Sequence, residues 1–493
     1  MNEGQRTIVS LRHWLEYTDV ERVLAECLAD VGGIERFVHP GQTVVVKPNL
    51  TGDAAASSGG TTHIELVEAL LRQVQHCQPS RIVVAEGNGF FGATLESAFL
   101  HGGWREMAAR MGVELYNLDG GPYLEVMLDH PHYPYPLPFS KLVLEADVFI
   151  TVPCLKTHIS ADYTVALKNS FCLTPQWKRS EIHSQYLLEE ALTDLGRIRR
   201  PDLSVVDGWD GAEGVAGGIG FDHPAGARVM LVGADPVAVD LVSREVMEQT
   251  APTRYLRWAI EDGLGVGDLN AIEICGAPLG ECRRRFMSPT DEISQAMPQL
   301  TLRDQRACSG CRCLATTALW RFQSQKMLHP LQVVVGGRGE LPHLDGQVVV
   351  LGDCAKPFAA LGTYLEGCPP KAEAVMSALE NTKCFCHQCR EMVRAILPGL
   401  PAGLLAHLQV AACGAQVHVG DQAKRDRWRL ILLVGNCMQH YAQVNAERAA
   451  LFGLDPERDM AWVQGCPPEE AAVREAVQRL EARLAVAVHQ WPG

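Results

Sequence analysis

Two sets of cysteines in the carboxyl-terminal part of the 493-residue chain repeat one order of motifs. The first runs Cys308-x-x-Cys311, Gly352-x-Cys354 and Gly367-Cys368-Pro369-Pro370. The second runs Cys386-x-x-Cys389, Gly435-x-Cys437 and Gly465-Cys466-Pro467-Pro468. Eleven of the 17 cysteines lie beyond residue 300, so the thiols are concentrated where the repeat is. Four thiolates converging on one point are the ligand set of a cubane iron–sulfur cluster, and a cysteine followed by proline is a familiar last ligand. Cys-x-x-Cys supplies two sulfurs from one turn, and the other two motifs, at strand ends, supply the rest from neighbouring loops. Glycine before the cysteine allows a close backbone approach, and proline after it fixes the chain and starts a helix. Four-cysteine zinc sites are an alternative, but structural zinc usually takes two Cys-x-x-Cys knuckles, and each copy has one. Buried thiols without metal are a third reading. The spacing favours two 4Fe–4S clusters, one on Cys308, Cys311, Cys354 and Cys368, the other on Cys386, Cys389, Cys437 and Cys466. Cys313 and Cys384 read as neighbouring thiols, and Cys413, after an apolar run, as core.

A second set of chemical residues lies in the amino-terminal half, where strands are expected to end. Lys47-Pro48-Asn49-Leu50, Lys156-Thr157-His158, Leu167-Lys168-Asn169, Glu213-Gly214 and Asp235-Pro236 all have such positions. In an open parallel sheet, ligands bind beyond the carboxyl ends of the strands. Lys47, Asn49, Lys156, Lys168 and Asn169 there would form a cationic, amide-rich cleft for a small anionic molecule, a phosphate or a carboxylate. His158 is the candidate for proton transfer, because its reference pKa lies near neutrality; Lys156 and Glu213 are the other candidate catalytic groups. Asp235 reads as a helix cap. Gly87-x-Gly89-x-x-Gly92 follows a strand and precedes a helix, as a dinucleotide fingerprint would. The next acidic residue, Asp119, comes later than the usual spacing of about 20, so a phosphate-binding turn at the helix start is the better reading.

These groups need a scaffold, and the pattern describes one. From Thr7 to about Cys275 short β-branched runs alternate with amphipathic stretches. Strands are expected at Thr43–Lys47, Arg81–Ala85, Glu114–Leu118, Asp147–Val152, Leu203–Asp207, Arg228–Val232 and Ala271–Cys275. Helices are expected at Ile64–Val74, Leu95–Met111, Tyr186–Ile198 and Val237–Met247. Near-continuous apolar strands such as Val44-Val45-Val46 fit a parallel sheet covered on both faces. The expected fold class is α/β: a layered parallel-sheet domain over residues 1–276, a connection over 277–307, and two small related α/β lobes over 308–383 and 384–493. Each lobe opens with a helix after its Cys-x-x-Cys and ends with a helix after its Gly-Cys-Pro-Pro.

A formal charge of −14 argues against nucleic acid or an anionic membrane as the main partner. No apolar run approaches the roughly 20 residues that span a bilayer. Many cysteines without a secretory leader point to a reducing, cytoplasmic setting and to metal ligation over disulfides.

Two resemblances add to this reading. Lys-Pro-Asn-Leu at residues 47–50, Thr62-His63, Lys-Thr-His at 156–158, Leu-Lys-Asn at 167–169, His183, Asp207, Glu213-Gly214 and Asp-Pro-Val-Ala-Val-Asp at 235–240 resemble the family catalogued as domain of unknown function 362, over about residues 5–275. The resemblance implies an α/β fold with a linked redox centre and no agreed reaction. Cys172 departs from it, standing where glycine is expected. The duplicated cysteine motifs are similar to those of nickel–iron hydrogenase small subunits and the corresponding subunit of respiratory complex I, which implies 4Fe–4S chemistry and electron transfer. The expected function is an iron–sulfur oxidoreductase served by a redox partner protein, with a non-catalytic electron carrier or cluster-bearing subunit as the alternative.

Overall fold

A computed structural model of the chain describes residues 7–487 apart from 52–53, 89–94, 216–222, 250, 252, 324, 414, 418–429, 440–441, 444–445 and 447–454. It divides into two compact units, Met1–Glu292 with Arg306–Thr316, and Ile293–Gln305 with Thr317–Gly493.

The first unit is built on a ten-stranded sheet. Eight strands follow one another across it: Ile272–Gly276, Thr7–His13, Val229–Gly233, Leu203–Ala212, Val148–Val152, Thr43–Pro48, Arg81–Glu86 and Glu114–Asn117. Alternation of side chains along each strand divides the core into two layers. Val44 and Val46 pack on one face with Val84, Val148 and Ile150, while Val45 packs on the other with Val83 and Phe149. A run of three valines therefore serves both faces, which is why it carries no polar alternation. Burying each such side chain is worth about 1.5–3 kcal/mol.

The sheet is mostly parallel, with two antiparallel elements; one is Asp162–Thr164, which runs antiparallel to Cys154–His158, and the other lies in the main path. Val229–Gly233 runs antiparallel to both Leu203–Ala212 and Thr7–His13. A parallel return needs a crossover, usually a helix, whereas antiparallel neighbours can be joined directly. Among the described residues, the connection between Ala212 and Val229 contains no helix. The helix expected over Leu95–Met111 is two helices, Leu95–His101 and Trp104–Met111, broken where Gly103 adopts a left-handed conformation at φ 75°. Asp235 does cap Pro236–Val246, its Oδ1 accepting from the N–H groups of Val237 at 2.9 Å and Ala238 at 3.0 Å.

The second unit holds two four-stranded sheets, and the repeat in the sequence is a repeat in the fold. Leu331–Gly336, Gln347–Leu351 and Thr363–Leu365 are adjacent and parallel, as are Leu408–Ala412, Leu430–Val434 and Met460–Val463. The fourth strands differ. Leu300–Gln305, in a stretch without period in the sequence, adds parallel to the first sheet, and Ala415–Gln416 adds antiparallel to the second. Helices Ala372–Asn381 and Glu470–Ala487 follow the two Gly-Cys-Pro-Pro motifs.

Candidate functional site

In both copies the loops carrying the third and fourth cysteines leave adjacent parallel strands and are tied by the same hydrogen bonds. In the first, the N–H of Gly352 donates to Leu365 O at 2.9 Å and that of Asp353 to Gly367 O at 3.0 Å, while Asp353 Oδ1 accepts from the N–H of Gly367 at 2.7 Å. In the second, Gly435 donates to Val463 O at 2.8 Å and Asn436 to Gly465 O at 2.9 Å, while Asn436 Oδ1 accepts from Gly465 at 2.8 Å. The middle residue of Gly-x-Cys is therefore a clamp. It was overlooked in the motif, where the only signal was a short side chain with an acceptor in both copies.

The second copy brings its thiols together. The Sγ atoms of Cys389, Cys413 and Cys437 all lie within 4.8 Å of one another, and the thiol of Cys466 interacts with those of Cys386 and Cys389. Gly435 makes room for them, since a Cβ there would stand 2.7 Å from Cys389 Sγ and 3.0 Å from Cys437 Sγ. Contacts from Cys389 and then Cys437 hold Cys413 down to about 3, and its contact raises Cys389 far above the ordinary range. Thiols packed this closely cannot all ionise without a cation among them. The donor set fits a thiophilic metal centre.

Cys413 joins this group although the sequence reads it as core. It is core as well, 1% exposed and packed with Val410 and Val434. Aligning Leu331-Gln332-Val333 with Leu408-Gln409-Val410 puts it where the first copy has Gly336, and both positions are left-handed, at φ 52° and 79°. That conformation is uncommon for a residue other than glycine.

In the first copy, Cys308 and Cys311 belong to the first unit, while Cys354 and Cys368 are exposed residues of the second. The Cys308–Cys311 turn is held within its own unit. The Ser309 hydroxyl donates to Glu189 and accepts the N–H of Arg254 at 2.8 Å, and the Arg312 guanidinium donates to both carboxylate oxygens of Asp162 at 3.0 and 2.7 Å. Cys313 Sγ donates to Asp162 Oδ1 at 3.3 Å and Cys384 Sγ to the carbonyls of Pro330 and Thr382 at 3.6 Å, and burial pushes both thiols up.

The cleft residues divide into two kinds. Lys47 is fully buried, its ammonium on Glu86 at 2.8 Å, Asn169 Oδ1 at 3.2 Å and Pro48 O at 3.1 Å. The Asn169 amide donates to Thr151 Oγ1 at 2.8 Å and Lys47 O at 3.2 Å, tying strand ends together. Glu213 accepts from the N–H of Met287 at 2.8 Å. Lys156, His158, Lys168, His183 and Arg179 instead form a buried basic cluster, in which the lysines and Arg179 disfavour protonation of the two histidines. Burial first, then its cationic neighbours, hold Lys168 down to about 7, and among the described residues it forms no ion pair. Burial and Lys168 likewise push His158 well below its ordinary value, and its Nδ1 accepts from the N–H of Ser160 at 3.1 Å. Among the described residues, Asn49 Oδ1 is buried without a hydrogen-bond partner, and so is Arg179 Nη1. The short helix Ala166–Asn169 that presents Lys168 is capped by Asp240, whose Oδ1 accepts from the N–H of Ala166 at 2.8 Å. Asp119 is engaged by Arg179 at 2.9 Å and the N–H of Gln176 at 2.6 Å, and Gly89 and Gly92 lie outside the described residues.

His63 is a further buried group. Its Nδ1 meets Asp207 at 2.9 Å and its Nε2 meets Asp210 at 3.1 Å, beside a cavity of about 650 Å³ lined also by Tyr17, Trp104, Trp209 and Arg228. Burial alone would lower the imidazole, but the two carboxylates lift it to about 10. Its stabilising contribution is complete below its ordinary value near 6.5 and is lost as pH rises through 10. The melting temperature of wild type relative to His63→Gln should therefore be greatest at pH 6 and fall steadily by pH 10; a pH-independent difference would show that the ring is neutral.

Comparison with known proteins places the first unit. Residues 44–245 match the family model described as Domain of unknown function (DUF362). The Thylakoid-associated protein sll1697 of Synechocystis sp. is similar, 26% identical over 253 residues, which cover 49% of this chain and 74% of that protein. The lactate racemase apoprotein from Thermoanaerobacterium thermosaccharolyticum aligns with a TM-score of 0.35 at 9% identity, over 76% of this chain and 90% of that one. In the DUF362-matching segment lie Lys47, Asn49, Lys156, His158, Lys168, Asn169 and Glu213, whereas the repeated cysteines fall outside it. No helix among the described residues is long and apolar enough to cross a membrane.

Proposed function

We propose that the chain is an iron–sulfur oxidoreductase that passes electrons to a small anionic substrate or cofactor. The observation that carries this reading is the convergence of Cys413 and Cys437, which follow adjacent parallel strands, on Cys389 at the start of the helix Gln388–Ile396, with Cys386 and Cys466 alongside. Cys386, Cys389, Cys437 and Cys466 are the motif ligands of one 4Fe–4S cluster, with Cys413 as a fifth sulfur beside them. Cys308, Cys311, Cys354 and Cys368 are those of the other. Such clusters supply one-electron transfer at a potential set by charge, hydrogen bonding and exposure. In the first unit, Lys156 and Lys168 bind the anion, with Asn49 and Arg179 offering further polar atoms. His158, held neutral with Nδ1 accepting from Ser160, carries its proton on Nε2 and can donate a hydrogen bond to the bound anion there. Lys47, Asn169 and Glu213 hold the strand ends and loops that position this set. A redox partner protein supplies the electrons.

The sulfur spacing favours one other reading. Thiolates at ~2.3 Å from a single tetrahedral ion lie about 3.8 Å apart, and a group within 4.8 Å suits that arrangement. Metal and sulfide analysis separates the two. Protein purified without oxygen should contain about eight iron and eight acid-labile sulfide per chain if both sites hold cubanes. Stoichiometric zinc without sulfide would overturn the iron–sulfur reading.

A further inference from the structure

Cys413 sits in a backbone conformation that favours glycine. Ala412 and Ala415 are partners across the antiparallel strands Leu408–Ala412 and Ala415–Gln416, so Cys413 lies in a two-residue connection. Connections of that length call for left-handed residues and draw glycine, asparagine or aspartate. Cys413 is left-handed all the same, at φ 52°. A side chain is strained there and persists where its surroundings fix it, commonly at a functional site. What the side chain reaches accounts for the strain. Cys413 is buried, and its Sγ lies within 4.8 Å of those of Cys389 and Cys437. The backbone N–H groups of Cys389 and Arg390, in the first turn of Gln388–Ile396, donate to that sulfur, and the N–H of Cys413 donates to Cys437. Unpaired N–H groups at a helix start favour an anionic acceptor, which a thiolate is and a thiol is not.

We infer that Cys413 is itself a metal ligand, completing a set with Cys386, Cys389 and Cys437, and that Cys466 is the sulfur left over. This rests on the reading of the second copy as a metal centre and changes one ligand within it. A tetrahedral ion or a cubane takes four thiolates, whereas five thiols gather here, so one of them is surplus. Burial decides which. Cys386, Cys389 and Cys413 are buried and Cys437 is half-buried, while Cys466 is exposed. The sheet also fixes Cys413 against Cys437. Ala412, one residue before the first, pairs with Val434, three residues before the second, in adjacent parallel strands. Two sulfurs carried by hydrogen-bonded strand ends keep their separation whether or not metal is bound, which suits a preformed site.

The test is the metal content of the full chain purified without oxygen. Cys389→Ser removes a ligand under either assignment and sets the loss expected when the centre is gone. Cys413→Ser should lose as much metal as Cys389→Ser, and the double variant no more than either. Cys413→Gly, which the backbone accepts, should lose the same amount with its circular dichroism unchanged. Cys466→Ser should keep the wild-type amount. Val410→Ala truncates the core that Cys413 packs in without removing a thiol, and it should keep its metal. Iodoacetamide added to metal-loaded wild type should modify Cys466, read by peptide mass spectrometry, with no metal released. Wild-type metal in both Cys413 variants would overturn the inference. So would a Cys466 protected from iodoacetamide until metal is removed, or a loss in Cys466→Ser equal to that in Cys389→Ser; either returns the fourth place to Cys466. Equal losses in Val410→Ala and the Cys413 variants would reduce Cys413 to a core residue. Wild-type protein with neither iron nor zinc would instead remove the centre on which the inference rests.

Discussion

Glu86→Gln should destabilise the protein by about 3–5 kcal/mol, because it leaves the Lys47 ammonium buried without a counter-charge. Lys47 and Glu86 are 0% and 1% exposed, and water cannot reach either side chain. Glu86 also accepts the N–H groups of Leu50 at 3.2 Å and Gly87 at 2.8 Å, so one carboxylate closes two strand ends as well as the ion pair. A glutamine retains one acceptor and points an NH₂ at a remaining donor, which adds the cost of an unmade hydrogen bond. Lys47→Met should cost a similar amount for the opposite reason. The double variant should lose clearly less than the sum of the two, since neither residual charge is then stranded. Urea unfolding of the four proteins measures this; additive losses, or a cost below 1 kcal/mol for Glu86→Gln, would show that water solvates the pair. The pair lies at the ends of the Thr43–Pro48 and Arg81–Glu86 strands. Its loss should therefore also disturb Asn49 and the cationic cluster, and ligand binding should fall with stability.

Much of the architecture was legible in the sequence for a simple reason. Strands buried on both faces read as near-continuous apolar runs, and Val44–Val46 and Leu430–Val434 announce themselves that way. The strands Gln347–Leu351 and Leu430–Val434 lead into the two Gly-x-Cys motifs, which were expected at strand ends. Thr7–His13, Cys154–His158 and Asp162–Thr164 are harder to read, because Arg12, His13, Lys156, His158 and Asp162 interrupt any apolar period. Those polar residues are there for the hairpin and the ion pairs, and Lys156 and His158 lie on a strand instead of a loop. Leu300–Gln305 is a sheet-edge strand, mostly half-buried and without alternation, short enough to be lost among the prolines around it.

The candidate site was legible in its residue types more than in their roles. Charge at a strand end reads the same whether it meets a ligand or another side chain, and only the fold separates Lys47, which is paired, from Lys168, which has no ion pair among the described residues. The carboxylate that pairs Lys47 is 39 positions away, a separation no local pattern encodes. The same limit explains Cys413: its neighbours in sequence are apolar and its neighbours in space are thiols. The repeat offered the one useful signal, because a cysteine replacing a left-handed glycine at a strand end has a reason to be there.

Lys168→Met should weaken the binding of small phosphorylated or carboxylated ligands by about ten- to hundredfold, the equivalent of losing a charge-assisted hydrogen bond of about 1.5–3 kcal/mol. Burial first, and then the cations Lys156, Lys47 and Arg179, hold the ammonium's pKa down to about 7 in the free protein. An anion bound beside it would restore the charged form and raise that value. Binding above pH 7 must then take up a proton, and affinity must fall as pH rises past 7, since the free lysine is increasingly neutral there. Titration calorimetry at pH 8 in buffers of different ionisation enthalpy should register uptake of up to about one proton per ligand in wild type, and little or none in Lys168→Met. Lys156→Ala should lower affinity comparably, though its ammonium also donates to Gly60 O at 3.1 Å and so supports the Thr51–Thr62 loop. Lys168→Arg should not rescue binding fully, because a forked guanidinium does not replace a compact ammonium in a closed site. Cluster absorption should be unchanged in all three variants. Ligand affinity that is the same in wild type and Lys168→Met, at both pH 6 and pH 8, would remove the anion from the first unit and leave a cluster-bearing electron carrier as the better description of the chain.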